Sequence, residues 1–160
     1  MSARLSAGIL LYRRRVGSLE VLLAHPGGPY YVNKDAGEWS IPKGEPGAEE
    51  TDLEAVGRRE FAEETGCQIV GPLISLGTVT QRGGKVVHAW ACSGDLDPAS
   101  AHSNLFTMEW PPRSGLIASF PEVDRVAWYS SPAARLKIKA AQIPLLERLE
   151  AALAGRRGAE

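Results

Sequence analysis

Three glutamates lie close together in the segment Arg59-Glu60-Phe61-Ala62-Glu63-Glu64-Thr65-Gly66. Glu60, Glu63 and Glu64 stand three and four positions apart, so a helix would place their side chains on one face. Like charges at these spacings destabilise a helix by about 0.2–0.5 kcal/mol per pair, and a divalent cation would convert that repulsion into attraction. Because no histidine or cysteine stands among these carboxylates, the chemistry that they favour is oxygen ligation of Mg²⁺ or Mn²⁺.

An acidic helix can also be an ordinary solvated surface, and two observations bear on that alternative. The helix follows a glycine-rich loop that carries Lys43, and glycines permit the close backbone approach that phosphate sites use. The acidic cluster lies in the C-terminal half of the helix, where negative charge opposes the helix dipole. This placement costs stability and suggests a compensating ligand, although these residues alone leave both interpretations open.

The segment Gly44 to Cys67 resembles the Nudix box, whose pattern is G-x5-E-x7-R-E-U-x-E-E-x-G-U, with U a bulky apolar residue. Gly44 and Glu50 match its first half, with five residues between them. Eight residues rather than seven separate Glu50 from Arg59, so Glu49, Glu50 or Thr51 could take the first glutamate position. The second half of the box is matched in order by Arg59, Glu60, Phe61, Glu63, Glu64, Gly66 and Cys67.

The resemblance implies a Nudix-type α/β/α sandwich with a mixed β-sheet and a magnesium-dependent hydrolase. It implies that Glu63 and Glu64 are metal ligands, and that Glu60 is a third ligand or the group that orients and deprotonates the attacking water. Arg59 would hold a carboxylate of the box in place. Backbone carbonyls around Lys43 and Gly44 would complete the metal shell, so the expected metal site is Glu60, Glu63, Glu64 and Gly44, with Glu60 and Arg59 as the catalytic pair.

The elements that must position these residues are read from apolar periodicity and turn residues, within a single domain over residues 1–160. The central helix is expected from Thr51 or Asp52 to Thr65, with Gly66 as its C-terminal cap. A final helix is expected over Pro144–Ala154, followed by a disordered tail over residues 155–160, and Pro111–Ser119 is expected to be a loop. A short helix is expected with Ser131 as its cap and Pro132 as its first residue. The predicted strands are Ser6–Tyr12, Leu19–Ala24, Leu73–Thr80, Val86–Cys92, Leu105–Glu109 and Arg125–Tyr129.

Several residues outside the helix are candidates for substrate contact, each with an ordinary alternative. Lys43 could reach a substrate phosphate or lie on the surface. Lys85 and His88, after the Gly83-Gly84 turn, could touch substrate or be exposed strand-edge residues. Glu122 could supply a further carboxylate or cap a turn. Tyr30 and Tyr31 could stack on a base, whereas core positions are expected for Trp39, Trp90, Trp110 and Trp128.

Composition restricts the partners. The formal net charge of −1 argues against a broad electrostatic contact with nucleic acid polymers or acidic membranes, and favours a small phosphorylated ligand. The apolar run Ala7–Tyr12 precedes its arginines, which is the reverse of a signal peptide, so a cytoplasmic location is expected. Cys67 and Cys92 form no metal-ligand motif, and reduced buried thiols are expected. A homodimer is compatible with the resemblance, since Nudix domains often pair.

The predicted function is hydrolysis of a diphosphate linkage in a nucleoside diphosphate-linked substrate. The run Trp39-x-x-Pro42-Lys43-Gly44 is similar to the approach to the box in dinucleoside polyphosphate hydrolases, which favours that substrate class. Nucleoside triphosphates and nucleotide sugars remain open. A first alternative is a non-catalytic Nudix-fold module that binds a nucleotide or a partner, and a second is an unrelated domain with an acidic surface helix.

Overall fold

The structure is a computed structural model that describes residues 4–159 of the chain. It contains eight strands and three α-helices, with single turns of 3₁₀ helix at residues 98–100 and 140–142. The strands are β1 (Leu5–Arg15), β2 (Ser18–Pro26), β3 (Lys43–Gly44), β4 (Ile74–Thr80), β5 (Val86–Ser93), β6 (Leu105–Glu109), β7 (Ile117–Pro121) and β8 (Val123–Ser130). The helices are α1 (Leu53–Thr65), α2 (Ser131–Lys137) and α3 (Ile143–Ala159).

The main sheet is mixed and has β1 at its centre. Its order is β4-β5-β1-β2-β8, and only the β1–β5 pair among these neighbours is parallel. The β1–β2 hairpin turns at Val16 and Gly17, whose φ values of 51° and 75° match the twist of a tight hairpin. Near its other end, β1 pairs with the two residues of β3, which carry the predicted phosphate contact Lys43.

Hydrophobic layers cover both faces of this sheet. On one face α3 buries Leu145, Leu146, Leu149 and Leu153, which lie on one side of the helix as the sequence predicts. Burying each such leucine contributes about 1.5–3 kcal/mol relative to leaving it exposed. On the other face α1 packs Val56 and Phe61 against the sheet. The predicted α/β/α sandwich with a mixed sheet is therefore confirmed.

Helix α1 has the ends that its sequence predicts. The Asp52 side chain accepts hydrogen bonds from the backbone N–H groups of Glu54 and Ala55, so Asp52 rather than Thr51 is the N-cap. Gly66 closes the helix with a φ of 78° and donates its N–H to the carbonyl of Ala62. Gly57 faces β1, where an added Cβ would lie 3.3 Å from Ile9 Cδ1, so the glycine brings α1 close to the sheet.

The structure corrects three details of the sequence-based prediction. Residues 117–119 of the expected loop belong to β7, which pairs with β6 as a separate two-stranded sheet. Strand β7 has no continuous apolar run, because exposed and half-buried residues alternate along it. The prolines and serines nearby therefore made the segment resemble a loop. Helix α3 continues through residue 159, five residues beyond the predicted end at Ala154, so the expected tail is helical over residues 155–159. The cap of α2 is Ser130 rather than Ser131, because the Ser130 hydroxyl accepts from the N–H of Ala133.

Both cysteines are free thiols, Cys92 buried and Cys67 partly exposed. Over residues 4–159, the structure contains no helix with the length and apolar character needed to span a membrane.

Candidate active site

The glutamates of α1 face the short strand β3. The backbone N–H of Lys43 points to Glu64 Oε1 at 3.3 Å, while Gly44 lies against the Glu60 carboxylate. A Cβ on Gly44 would lie 2.0 Å from Glu60 Oε2, so only glycine fits here without displacing that carboxylate. Strand β3 is fixed in turn by its pairing with Ala7 and Gly8 of β1. The sheet thus positions the loop half of the box against its helical half.

Arg59 connects the acidic residues of the box. Its guanidinium donates to both oxygens of Glu50, at 2.8 and 2.6 Å. Its Nη1 also donates to Glu60 Oε1 and Glu63 Oε1, each at 2.9 Å. Of the three residues that could fill the first glutamate position, Glu50 is the one that Arg59 contacts. The additional residue between Glu50 and Arg59 therefore does not prevent these two side chains from pairing.

Burial acts on the carboxylates of α1. Glu60 is 8 % exposed, and burial raises its pKa while the neighbouring Arg59 guanidinium opposes the rise. Burial raises the pKa of Glu64 to about 8, against the lowering influence of the Lys43 N–H and charge. Lys43 shows the reciprocal effect, because burial and the positive charges of Lys85 and Lys139 lower its pKa to about 8. Glu60, Glu64 and Lys43 are thus all held in surroundings that disfavour their charged forms.

Glu122 lies beside the same cluster. Its negative charge raises the pKa of both Glu60 and Glu64, and burial followed by the charge of Glu63 raises its own. Its backbone is linked to α1 through Asn104, whose carbonyl accepts from the Glu122 N–H at 2.9 Å and whose N–H donates to the Glu63 carbonyl at 2.8 Å. The structure therefore places Glu122 with the glutamates of α1, as one of the two interpretations of this residue requires.

A metal bound at this site would take its ligands from the carboxylate oxygens of the cluster and from nearby backbone carbonyls. Within residues 4–159, no three His, Cys, Asp or Glu side chains are arranged as a ready metal site, and the Glu63 carboxylate is bonded to Arg59. The donor set nevertheless fits a hard divalent cation, since it is made of carboxylates and backbone carbonyls. Burial is the largest cause of the raised pKa of Glu60 and of Glu64, and it disfavours the ionised carboxylates that a bound cation would favour.

A small cavity of about 120 Å³ opens beside the carboxylates. Lys43 and Glu64 line it together with Glu122, and Glu38 and Lys139 are also among its lining residues. No sequence motif marks Glu38 or Lys139 as a site residue. They are far apart in sequence, and the fold brings them to the site.

Gln142 is a further residue that the sequence does not single out. It is fully buried, and its Oε1 accepts from the N–H of Ile41 at 3.0 Å. Its Nε2 donates to Ser40 Oγ at 3.0 Å and to Gln81 Oε1 at 2.7 Å. One side chain thus joins the segment that leads to Lys43 and the turn that leads to Lys85. A glutamine within an otherwise apolar stretch is the sequence signal that could have indicated it.

The remaining candidates lie at different distances from the site. Lys85 is close enough to Lys43 to affect its pKa, whereas His88 stacks on Trp90 with ring centroids 4.0 Å apart. Tyr30 is exposed and meets the half-buried Trp110 edge-on, with centroids 5.3 Å apart, and Tyr31 is exposed beside it. Trp39 and Trp90 are buried as expected, while Trp110 and Trp128 are only half-buried.

His25, which the sequence analysis does not single out, anchors the loop that follows β2. It is fully buried at the end of that strand. Its Nδ1 lies 2.8 Å from Asp124 Oδ1, and its Nε2 lies 2.6 Å from the carbonyl oxygen of Lys34. The loop over residues 27–37 is therefore tied to β8 next to Glu122.

Comparison with known proteins agrees with this geometry. The family described as NUDIX domain matches residues 2–149. The structure resembles the NUDIX domain of Shewanella oneidensis NrtR complexed with ADP ribose, at a TM-score of 0.67 and 17 % identity over 96 % of this chain and 90 % of that one. It also resembles a C. elegans Ap4A hydrolase, at a TM-score of 0.66 and 22 % identity over 96 % of this chain and 99 % of that one. A mutT/nudix family protein from Listeria innocua matches at a TM-score of 0.66 and 17 % identity, over all of both chains. A search of curated proteins found no significant match.

Proposed function

Because the chain belongs to the NUDIX domain family, we propose that it is a Mg²⁺-dependent hydrolase that cleaves a diphosphate linkage in a nucleoside diphosphate-linked substrate. The predicted enzyme class, a Nudix hydrolase, is confirmed at the level of the family. The observation that carries the proposal is the convergence of Glu60, Glu64 and Glu122 beside the Lys43–Gly44 strand, where burial has raised the pKa of each carboxyl. Residues 1–160 would act as one domain.

Glu60, Glu63 and Glu64 would hold the metal, with the backbone around Gly44 completing its oxygen shell. Bound Mg²⁺ would supply neutralisation of the diphosphate and a lower pKa for a coordinated water. Mn²⁺ offers the same chemistry to an all-oxygen site. Glu60, which also touches Gly44, would either ligate the metal or orient the attacking water.

Arg59 acts as a positioning residue in this proposal. It contacts Glu50, Glu60 and Glu63 at once, so it fixes the carboxylates relative to one another. A bidentate guanidinium–carboxylate pair sets orientation as well as distance, which a lysine could not reproduce. Lys43 and Lys85 would contact the substrate phosphates, because Lys43 lines the cavity beside the carboxylates and Lys85 lies close enough to Lys43 to act on it electrostatically.

Glu122 would accept a proton from water or complete the metal shell. Its position outside α1 leaves it free of Arg59, whose described partners are Glu45, Glu50, Glu60 and Glu63. We favour a dinucleoside polyphosphate as the substrate for two reasons. The run Trp39–Gly44, which leads into the box, is similar to that of dinucleoside polyphosphate hydrolases, and the fold is shared with the C. elegans Ap4A hydrolase.

The direct test is nucleotide or phosphate release from a panel of substrates, with and without Mg²⁺. The panel contains diadenosine polyphosphates, nucleoside triphosphates, nucleotide sugars and NADH. Glu63→Gln and Glu64→Gln should each abolish metal-dependent turnover, while Glu49→Gln, which removes an exposed carboxylate of the preceding loop, should leave it unchanged.

Equal turnover by the wild type and both α1 variants would refute the assignment of the metal site. Tight nucleotide binding by folded wild-type protein, without turnover of any substrate, would instead support a non-catalytic binding module.

A further inference from the structure

A second cavity adjoins the one beside the carboxylates. It has a volume of about 350 Å³, within the lower range of small-molecule sites. Glu38 and Lys139 line both cavities, so the two are adjoining parts of one cleft. The walls of the second cavity are Gly37, Glu38, Gln81, Arg82, Lys139, Ala140 and Ala141.

The two ends of this cleft differ in their balance of acidic and basic groups. The first cavity is lined by three carboxyl groups, of Glu38, Glu64 and Glu122, and by two lysines. The second is lined by two cations, Arg82 and Lys139, against the single carboxylate of Glu38. A cation is suited to the first end and an anion to the second.

The cations of the second cavity have no carboxylate partner among the residues that the structure describes, whereas Lys137, close to Lys139 in sequence, is paired with Asp35 at 2.5 Å. An unpaired pair of cations in a concave wall is the arrangement that phosphate recognition uses.

The backbone that carries these cations is firmly held. The Lys139 N–H donates to the Trp39 carbonyl at 2.8 Å, and its carbonyl accepts from the Gln142 N–H at 2.8 Å. Arg82 lies in the turn that Gln81 closes, with the Gln81 N–H on the Lys85 carbonyl at 2.7 Å. Gln142 joins both segments through its bond to Gln81. The second cavity is therefore a formed part of the fold.

We infer that Arg82 and Lys139 form a distal phosphate subsite, which selects substrates whose phosphate chain extends beyond the diphosphate held at the carboxylates. This inference rests on the proposed function for the identity of the first end. Dinucleoside polyphosphates and nucleoside triphosphates carry such a chain. A nucleoside diphosphate sugar presents an uncharged sugar in its place, which gains nothing from the two cations.

The kinetic test compares wild type with Arg82→Gln, Lys139→Gln and the double variant. Arg135→Gln is the matched control, since Arg135 is exposed on α2 and pairs there with Glu147. For a nucleoside triphosphate and a dinucleoside tetraphosphate, each substitution should raise KM about 10-fold, the loss expected for one charged hydrogen bond, with kcat little changed. For a nucleoside diphosphate sugar, Arg82→Gln should change KM less than about 2-fold, because Arg82 lines the second cavity and not the first. Equal effects on both substrate classes, or none on either, would overturn the inference.

Calorimetric titration with inorganic tripolyphosphate in metal-free buffer separates this inference from the proposed function. The double variant should bind this probe at least about 10-fold more weakly than wild type and Arg135→Gln. Equal affinity for wild type and double variant would overturn the subsite. Absence of turnover by wild type would count against the proposed function alone, because the titration needs no catalysis.

Discussion

Glu64→Gln should stabilise the metal-free protein. Burial raises the pKa of Glu64 to about 8, from an ordinary value of 4.5, so the folded protein holds this carboxyl protonated at pH 7. The unfolded chain ionises it, and folding must therefore take up a proton. At 1.36 kcal/mol for each pH unit between 4.5 and 7, that uptake costs about 3 kcal/mol. Glutamine needs no proton, and its oxygen can still accept the Lys43 N–H. Its extra N–H requires a partner, so we expect a gain of about 2–3 kcal/mol.

The sign of the effect fixes its pH dependence. A carboxyl with a raised pKa in the folded state lowers stability as pH rises from 4.5 towards 8, because the folded state binds the proton that the unfolded state releases. The advantage of Glu64→Gln should therefore be below about 1 kcal/mol at pH 5 and should grow steadily to pH 7. The lowered pKa of Lys43, about 8, makes stability depend on pH only above this window, where the unfolded chain binds more protons and stability rises with pH.

Urea denaturation in EDTA at several values between pH 5 and 7 measures this difference. Glu49→Gln serves as the control, since it removes an exposed glutamate. Mg²⁺ should then stabilise wild type by about 2.7 kcal/mol at one hundred times its Kd, and should stabilise Glu64→Gln less. The explanation that burial keeps the Glu64 carboxyl protonated would be refuted by either of two results. One is a Glu64→Gln variant less stable than wild type in EDTA, and the other is a stability difference that does not depend on pH.

Three other changes test the packing around the site. Gly44→Ala would place a Cβ 2.0 Å from Glu60 Oε2, so kcat should fall at least about 10-fold while the melting temperature changes little; an unchanged kcat would contradict the assigned contact. Gly27→Ala would place a Cβ 1.9 Å from the Pro121 carbonyl oxygen, and should lower the free energy of unfolding by about 2–3 kcal/mol. Urea denaturation measures this loss, and an unchanged free energy of unfolding would contradict the contact. Gln142→Leu leaves the buried Ile41 N–H without a partner, and should cost about 1–3 kcal/mol and raise the substrate KM, a rise that a purely structural role would not produce.

The helical half of the site could be predicted from sequence because its information is local. Helix periodicity places Glu60, Glu63 and Glu64 together, and Asp52 and Gly66 supply the caps that mark the ends of α1. The two strands of the first hairpin were predictable for the same reason. They are adjacent in sequence, and a turn of only two residues joins them. The observed strands are longer than predicted because β1 extends through Arg15, where polar residues continue the ladder.

The rest of the site depends on contacts between residues distant in sequence. The choice of Glu50 over Glu49 and Thr51 follows from the position of the Arg59 guanidinium, which no local pattern specifies. Glu38 and Lys139 reach the cleft only when α2 has packed on the sheet and residue 39 has bridged to residue 138. The strand β7 was missed because its exposed alternation resembles a polar loop and its stability comes from pairing with β6.

The parallel pairing of β1 with β5 also constrains how the protein folds. Leu5 pairs with Val86 and Tyr12 with Ser93, so this ladder closes a long loop of chain before it gains any stabilising contact. That loop contains β3 and the whole of α1. An early folding species could form the β1–β2 hairpin and a fluctuating α1, but it would lack the sheet against which the glutamates are held. Acquisition of the proposed metal affinity should therefore coincide with the slow closure of this ladder. Chains that emerge from synthesis with β5 still missing would expose the apolar face of α1 to aggregation.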